Sequence, residues 1–286
     1  MTRRGEDSAS ARWRRLAGDR LAEYERLSPD AAPVRAGFWD RRADRYAASM
    51  KKAASIDRDP FLRRLRRVTS PTGTAIDVGA GSGRFAIALA AEIGHVTAVD
   101  PSARMLEILE DDARDRGVTN LTTVTATWEE ARTPPADVAF SAFVLPLVPD
   151  AGPFLAKLDA AAREHALLYL GAFSGDAVLD PLWRHFHGER RSAGPSFLDA
   201  LAVLRELGIE PRVDAVEIPN RRRFETVEEA TDFYREALLL EDTDDIRAEL
   251  ADLLRSWLLG RRGALRSPLR TVPAAIFQWR PAAARG

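Results

Sequence analysis

A glycine-rich turn between two apolar stretches most constrains what this chain can fold into. Residues 75–90 read AIDVGAGSGRFAIALA. The short apolar stretch before the turn predicts a β-strand, and the spacing of the apolar residues after it predicts an amphipathic helix. Gly79, Gly81 and Gly83 permit backbone torsions that a Cβ forbids, and they let a ligand approach the main-chain amides. The turn therefore predicts a site for a nucleotide-type cofactor.

Predicted strands and helices alternate along the rest of the chain. Crossovers of this length between parallel strands are right-handed and place helices on both faces of the sheet. We therefore predict an α/β fold with a doubly wound, mostly parallel, seven-stranded sheet. Ligands bind such sheets beyond the carboxyl ends of the strands, where the glycine turn and Asp100 both lie. The predicted strands are residues 75–78, 95–100, 121–126, 137–143, 166–173, 211–218 and 271–279.

Helical spacing outside this core predicts three further parts. Two capped helices begin near Thr226 and Thr243, between the last two strands, and they predict a lid next to the ligand edge. Helices are also predicted at 11–27, at 35–51 and from residue 59. The predicted parts are an N-terminal helical segment (1–70), a core (71–218), a helical lid (219–266) and a final strand with its tail (267–286).

Composition excludes several classes of function. The 286 residues contain no cysteine, which excludes disulfides, thiolate zinc sites and cysteine nucleophiles. The net charge of −1 gives no overall attraction to nucleic acid or to an anionic membrane. The first 70 residues are nevertheless basic, with 18 Lys and Arg against 10 Asp and Glu, whereas the remainder has 24 against 33. The longest near-apolar run, 138–148, is too short to span a bilayer, and a hydrophobic signal core is lacking, so we expect a cytoplasmic protein without a membrane partner.

The spacing of the glycines and the acid after the next strand distinguish between cofactors. Arg84 stands where a dinucleotide fingerprint has its third glycine, and the Lys-Ser/Thr pair of a phosphate loop is absent. The pattern DVGAGSGRFAIALA, followed by VTAVDPSARML with its Asp100, resembles the class I S-adenosylmethionine-dependent methyltransferases of small-molecule type. The resemblance covers about residues 38–173 and the final strand. It implies a Rossmann-like enzyme that uses S-adenosyl-L-methionine and releases S-adenosyl-L-homocysteine.

The resemblance also implies a role for each matching position. Asp77 and the main chain around the glycines would face the methionine part, and Asp100 would accept both ribose hydroxyls. The FWDRRADRY stretch resembles an entry helix over the cofactor. Adenine would lie between the start of the helix after Asp100 and residues 127–129, and the transferring methyl beside the end of the fourth strand. The implied cofactor-binding residues are Tyr46, Asp77, Gly79, Ala80, Gly81, Gly83, Asp100, Pro101, Ser102, Met105, Thr127, Trp128, Glu129 and Phe143.

Two departures from the family pattern bear on adenine binding and on the acceptor. Ala126 and Thr127 stand where many relatives have an acid for the adenine amino group, and Trp128 or Glu129 would substitute for it. Trp128 is equally well interpreted as a core residue. The fourth strand ends SAFVLPL, without the Asn/Asp-Pro-Pro-Tyr signature of enzymes that methylate planar amino groups. The lack of cysteine also excludes covalent C5 methylation of pyrimidines.

The acceptor side is less constrained. His187 is the predicted general base, since it lies one helical turn after Trp183, although a buried structural histidine is the competing interpretation. An extended backbone would instead bring His185, His187 and Glu189 together as a metal site; we predict no metal. The candidates for substrate contact are Trp39, Trp183, Arg221 and Tyr234, of which Arg221 is also interpreted as part of a charged turn and the aromatic residues as packing.

These observations predict methyl transfer to an oxygen or nitrogen of a small-molecule acceptor. The first alternative is an RNA methyltransferase that uses the basic N-terminal segment, and the second is a non-catalytic S-adenosylmethionine-binding regulator. Nucleic acid is not the expected partner. Whether the chain forms a homodimer stays open at this point.

Overall fold

The computed structural model describes residues 8–28, 37–52, 56–171, 179–220, 223–261, 264–267 and 270–282. Arg221 and residues 172–173, at the end of the fifth predicted strand, lie outside these ranges. The strands are β1 Thr74–Val78, β2 His95–Asp100, β3 Leu121–Thr125, β4 Ala136–Ala142, β5 Ala162–Gly171, β6 Arg212–Pro219, β7 Arg223–Phe224, β8 Leu259–Arg261, β9 Ala264–Arg266 and β10 Thr271–Trp279.

Seven of these strands form one sheet in the order β3-β2-β1-β4-β5-β10-β6. The first five pair in parallel, whereas β10 is antiparallel to both of its neighbours, β5 and β6. The strand order reverses between β1 and β4, and the carboxyl end of β1 leads into the glycine turn. The predicted α/β class and seven-stranded, mostly parallel sheet are confirmed.

Helices cover both faces of this sheet. Residues of α3 and α4 pack with α5 on one face, and α1 packs with α6 and α8 on the other. The predicted caps at Thr226 and Thr243 are present, and Ser102 caps α5; each side chain accepts an amide hydrogen bond from the first turn. The helices are α1 Ala9–Leu27, α2 Ala43–Lys52, α3 Pro60–Val68, α4 Ala86–Ala90, α5 Ala103–Asp115, α6 Ala151–Ala161, α7 Asp180–His187, α8 Phe197–Glu206, α9 Val227–Ala237 and α10 Asp244–Trp257.

Two predicted boundaries are wrong. Strand β5 begins at Ala162 rather than at residue 166, and α6 ends before it at Ala161, because Ala162 already pairs with Ala136 of β4. Helix α2 begins at Ala43 rather than at residue 35, since Gly37 has φ +72° and a 3₁₀ turn, Asp40–Arg42, precedes the helix. The left-handed torsion of Gly37 is incompatible with a continuous right-handed helix.

A small second sheet and a third apolar cluster lie in the predicted lid. Strands β7, β9 and β8 pair antiparallel in that order, so Arg223 begins a strand rather than lying in a turn. Helices α9 and α10 pack on each other and on α7. Phe38 of the N-terminal segment is buried in the same cluster. The N-terminal segment and the lid, predicted as separate parts, therefore share one apolar cluster. The predicted division of the chain into four parts stays a prediction.

In the part of the chain that the structure describes, no helix is long and apolar enough to cross a membrane.

Candidate active site

The glycine turn is held open by three residues with positive φ. Gly79, Gly81 and Gly83 have φ values of +74°, +51° and +83°. A Cβ on Gly79 would lie 2.2 Å from Val144 Cγ2, and one on Gly83 would lie 2.6 Å from Leu109 Cγ. A Cβ on Gly81 would meet no atom within 4 Å. Two of the glycines are therefore required by packing, whereas Gly81 borders open space at the carboxyl edge of the sheet.

The side chain of Asp100 closes the turn onto the end of β2. Its Oδ2 accepts a hydrogen bond from Gly81 N at 2.8 Å, and its Oδ1 accepts one from Ser102 N at 2.9 Å. These two bonds orient the carboxylate and leave each oxygen one further lone pair. Asp100 is 8% exposed, and burial raises its pKa; the two amide bonds oppose that shift, while the nearby charge of Asp40 adds to it. The geometry suits two hydroxyl donors, as predicted for a ribose.

Asp77 is a buried acid beneath the turn. It is 2% exposed, and burial raises its pKa well above the usual range of an aspartate, with a further contribution from the charge of Asp100. A hydrogen bond from the main-chain amide of Ala86, at the start of α4, opposes this shift. Asp77 thus joins the strand to the helix behind the turn. Its predicted contact with the methionine part of a cofactor stays a prediction.

A 3₁₀ turn of the N-terminal segment lies against the start of α5. Asp40 Oδ1 accepts hydrogen bonds from Ser102 Oγ at 2.6 Å and from Arg104 N at 3.2 Å. The adjoining Trp39 packs edge-on against Tyr46, with ring centroids 6.0 Å apart. Tyr46 is 39% exposed, so its ring is available at the surface. The N-terminal segment therefore borders the Asp100 end of the site, and Asp40 is a site residue that the sequence did not indicate.

The loop after β3 lies beside Asp100 but does not present all of the predicted residues. Ala126 N donates to the carbonyl oxygen of Asp100 at 3.2 Å, and Thr127 and Glu129 are exposed. Trp128 is instead 4% exposed, and its Nε1 donates to the carbonyl oxygen of Phe154 at 3.2 Å. Met105 is also buried, on the core side of α5. The structure thus shows packing roles for the side chains of Trp128 and Met105, and their contact with adenine stays a prediction.

The residue that follows β4 at the carboxyl edge of the sheet has a strained backbone conformation. Phe143 has φ +63°, which is costly for a residue with a Cβ, and its side chain is 40% exposed. Its amide donates to the carbonyl oxygen of Tyr169 at 2.8 Å, and its ring lies 4.5 Å from the Tyr169 ring. The following Val144 is the residue that packs against Gly79. Phe143 therefore borders the turn from the β4 side, in the position predicted for the transferring methyl.

The hydroxyl of Tyr169 has no hydrogen-bond partner among the described residues. Tyr169 is fully buried on β5, and its ring stacks on that of Phe61 at 4.7 Å. Burial raises its pKa, with a further contribution from Asp59. A buried hydroxyl that makes no hydrogen bond costs about 1–3 kcal/mol.

We expect Tyr169→Phe to stabilise the protein by about 1 kcal/mol, because the ring packing is kept and the desolvated hydroxyl is lost. Chemical denaturation followed by circular dichroism measures the change. Tyr24→Phe is the matched control: the Tyr24 hydroxyl accepts a hydrogen bond from Arg191 Nη2 at 3.2 Å, so the same substitution should lower stability there. A loss of stability in Tyr169→Phe would contradict the unpartnered state of its hydroxyl.

His187, Trp183 and Tyr234 lie at the apolar cluster that α7, α9 and α10 form, which we call the lid cluster. His187 Nε2 donates to the carbonyl oxygen of Leu238 at 2.8 Å, and its ring lies 4.2 Å from that of Trp183. Trp183 is 1% exposed, and Tyr234 is 3% exposed among Phe224, Phe233 and Trp257. These contacts give all three residues packing roles, in agreement with the competing interpretation. The general-base role of His187 stays a prediction that the geometry does not support.

The alternative metal site at the end of α7 does not form. Residues 180–187 are helical, His185 Nε2 lies 2.7 Å from Glu249 Oε1, and Glu189 pairs with Arg26 at 2.8 Å. No group of three acidic or histidine side chains suited to a metal ion occurs within the described ranges.

Comparisons with known proteins agree with this geometry. Residues 75–164 match a family model described as a methyltransferase domain. An uncharacterised protein of Haemophilus influenzae is 26% identical over 181 residues, which cover 63% of this chain and 66% of that protein, just under two thirds of its length.

Two solved structures share the fold. A Bacillus halodurans protein assigned as a methyltransferase superposes with a TM-score of 0.54 at 16% identity, covering 77% of this chain and 99% of its own. A phosphoethanolamine N-methyltransferase from Haemonchus contortus, solved with phosphomonomethylethanolamine and S-adenosylhomocysteine, has the same TM-score and identity over 89% of this chain and 60% of its own. At this identity the likeness concerns the fold.

Proposed function

We propose that this chain, whose residues 75–164 match a family model described as a methyltransferase domain, is a class I enzyme that transfers the methyl group of S-adenosyl-L-methionine to an oxygen or nitrogen of a small molecule. The single observation that carries the proposal is the pairing of an open Gly81 edge with the oriented carboxylate of Asp100. The first provides room for a ligand against the main chain. The second provides two acceptors for a vicinal diol.

The residues of the site fit this cofactor. When bound, S-adenosyl-L-methionine supplies an electrophilic methyl group on a positively charged sulfur. The acidic groups at the turn complement that charge, the exposed ring of Phe143 follows β4 beside the turn, and the exposed ring of Tyr46 belongs to the N-terminal segment that borders Asp100. Leu147, just after β4, is also exposed at 37%. Apolar walls of this kind exclude water and align an acceptor for in-line displacement.

The charges of the N-terminal segment argue against the RNA alternative. Several of its arginines pair with acidic groups of the core and the lid, so part of the positive excess of the first 70 residues is neutralised inside the molecule. Arg64, for example, donates to Asp214 at 2.7 Å, and Arg66 pairs with Glu92. Other such pairs are Arg12 with Asp199, Arg14 with Asp150, Arg26 with Glu189 and Arg45 with Glu236. These pairs favour a small-molecule acceptor over RNA.

We expect the protein to bind S-adenosylhomocysteine at micromolar or lower concentration and to bind NAD at least 100-fold more weakly, because Arg84 replaces the third glycine of a dinucleotide turn. Isothermal titration calorimetry with both ligands tests the cofactor. Tight binding of NAD alone would overturn the proposal.

Transfer of a labelled methyl group from S-adenosylmethionine to a panel of small phenols, carboxylic acids and amines tests the reaction. Transfer to RNA in place of these acceptors, with an affinity that falls steeply with salt, would favour the RNA alternative. Binding of S-adenosylmethionine with no transfer to any acceptor would favour the regulator.

A further inference from the structure

The carboxylate of Asp40 is a second acidic group at the ribose end of the site. It comes from the 3₁₀ turn before α2, 60 positions before Asp100 in the chain. Both of its hydrogen-bond donors, Ser102 Oγ and Arg104 N, belong to the start of α5. Ser102 in turn donates its amide to Asp100 Oδ1 at 2.9 Å. A continuous chain of hydrogen bonds therefore joins Asp40 to the carboxylate that would accept the ribose hydroxyls.

We propose that Asp40 is a positioning residue for methyl-donor binding, which holds Ser102 and, through Ser102, the carboxylate of Asp100 in the orientation that receives the ribose. This inference rests on the proposed function, because it concerns the same cofactor site. Asp40 acts through its neighbours and need not touch the cofactor.

Ser102 is the residue through which Asp40 acts. Its Oγ accepts a hydrogen bond from Met105 N at 3.2 Å, so it caps α5, and it donates its own proton to Asp40 at 2.6 Å. The bond to a carboxylate is stronger than one to a neutral acceptor and fixes the hydroxyl rotamer. With Ser102 held from both sides, its amide keeps the direction in which it meets Asp100. The direction of this amide fixes the orientation of Asp100 Oδ1, and therefore of the lone pair that would accept a ribose hydroxyl.

The negative charge of Asp40 repels the carboxylate of Asp100, and a cation bound nearby would offset this repulsion. The ionisable groups around Asp100 are Asp77 on β1 and Asp40 on the 3₁₀ turn, and beyond them Arg104 is paired with Asp44 and Glu107. The negative charge of Asp40 contributes to raising the pKa of Asp100. A neutral side chain would anchor Ser102 without this repulsion. A carboxylate also attracts the positively charged sulfonium of the methyl donor, a charge that S-adenosylhomocysteine lacks, so the affinities of Asp40→Asn for S-adenosylmethionine and for S-adenosylhomocysteine isolate this attraction.

Three variants of the full-length protein test the role of Asp40. We expect Asp40→Ala to raise the Kd of S-adenosylhomocysteine about tenfold, since it removes a charged hydrogen-bond acceptor. Asp40→Asn keeps an oxygen for Ser102 and should restore part of the affinity. Asp44→Ala is the matched control: Asp44 also pairs with Arg104, at 2.6 Å, but it has no bond to Ser102, and its loss should leave the Kd within about twofold.

The pH dependence of binding distinguishes an effect of Asp40 on the Asp100 carboxylate from a mere attachment of the N-terminal segment to α5. Binding requires ionised Asp100, so affinity falls as pH drops through the Asp100 pKa. Asp40→Asn removes a neighbouring negative charge, which lowers that pKa, so the acid limb should move to lower pH in calorimetric titrations between pH 4 and 8. Asp44→Ala should leave the limb in place.

Two results would overturn the role of Asp40. Equal losses of affinity in Asp40→Ala and Asp44→Ala would mean that Asp40 only attaches the N-terminal segment to α5. An unchanged fall of affinity at low pH in Asp40→Asn would mean that the charge of Asp40 does not affect the pKa of Asp100. If Asp40→Ala fails to fold, as thermal denaturation would reveal, the comparison of Asp40→Asn with Asp44→Ala decides alone. Failure of the wild-type protein to bind S-adenosylhomocysteine would instead contradict the proposed function.

Discussion

Asp100→Ala is expected to raise the Kd of S-adenosylhomocysteine at least a hundredfold, which corresponds to about 2.7 kcal/mol or more. The variant loses both acceptors for the ribose hydroxyls, and each hydrogen bond to a charged group contributes about 1.5–3 kcal/mol. It also releases the amides of Gly81 and Ser102, which Asp100 now holds at 2.8 and 2.9 Å. The turn should therefore lose its orientation together with its ligand. Calorimetry measures the affinity.

Asp100→Asn is the control for this variant. Its amide keeps one oxygen acceptor and nearly the same volume, so it should bind more strongly than alanine and more weakly than the native carboxylate. Thermal denaturation distinguishes lost binding from lost folding. Affinity within tenfold of wild type in Asp100→Ala, with the fold intact, would contradict the role of Asp100 at the ribose.

The predicted site residues that the structure brings together at the glycine turn lie close together in the chain. The turn and Asp100 could be inferred because a strand, its glycines and the next strand follow one another within 30 residues. Local chemistry also explains the caps: a Ser or Thr side chain bonds to amides two or three residues ahead. The α/β class was predicted correctly for this reason, and residues 75–164 match a family model described as a methyltransferase domain.

The residues that the sequence missed meet only through tertiary contacts. Asp40 lies 62 residues from Ser102 in the chain, and no periodicity marks its contact. The burial of Trp128 is decided by Phe154, whose carbonyl accepts its indole hydrogen bond. Strands β7, β8 and β9 contain only two or three residues each, which is too short for an alternating pattern to be recognised.

The N-terminal segment connects the Asp100 end of the site with the lid. On the core side, Asp40 and Asp44 bond to the start of α5. On the lid side, Arg45 donates to Glu236 of α9, and Phe38 is buried in the lid cluster. A short stretch of chain thus contacts both the place predicted for the cofactor and the part predicted to cover an acceptor.

Gly79→Ala is expected to destabilise the protein by about 3 kcal/mol or more. A left-handed torsion costs alanine about 1–2 kcal/mol, and overpacking in a filled region costs about 1–3 kcal/mol. Here φ is +74°, and the new Cβ would lie 2.2 Å from Val144 Cγ2. Val144 is stiff about χ1 and has little room to rotate away. Denaturation with urea measures the loss. Because the clash involves Val144, the same change should cost less in a Val144→Ala background, and equal costs in both backgrounds would contradict this account.

Gly81→Ala separates the fold of the turn from its ligand. Its φ is +51°, and its new Cβ would meet no atom within 4 Å, so only the torsional cost of about 1–2 kcal/mol applies to stability. The same methyl group would project into the space that the proposed cofactor needs at the main chain, and we expect the Kd of S-adenosylhomocysteine to rise at least a hundredfold. We expect Gly81→Ala to lose little stability and much affinity, and Gly79→Ala to lose more stability. That result would establish that Gly79 is needed for packing and Gly81 for ligand binding. Unchanged affinity in Gly81→Ala would mean that the ligand does not approach the turn at this residue.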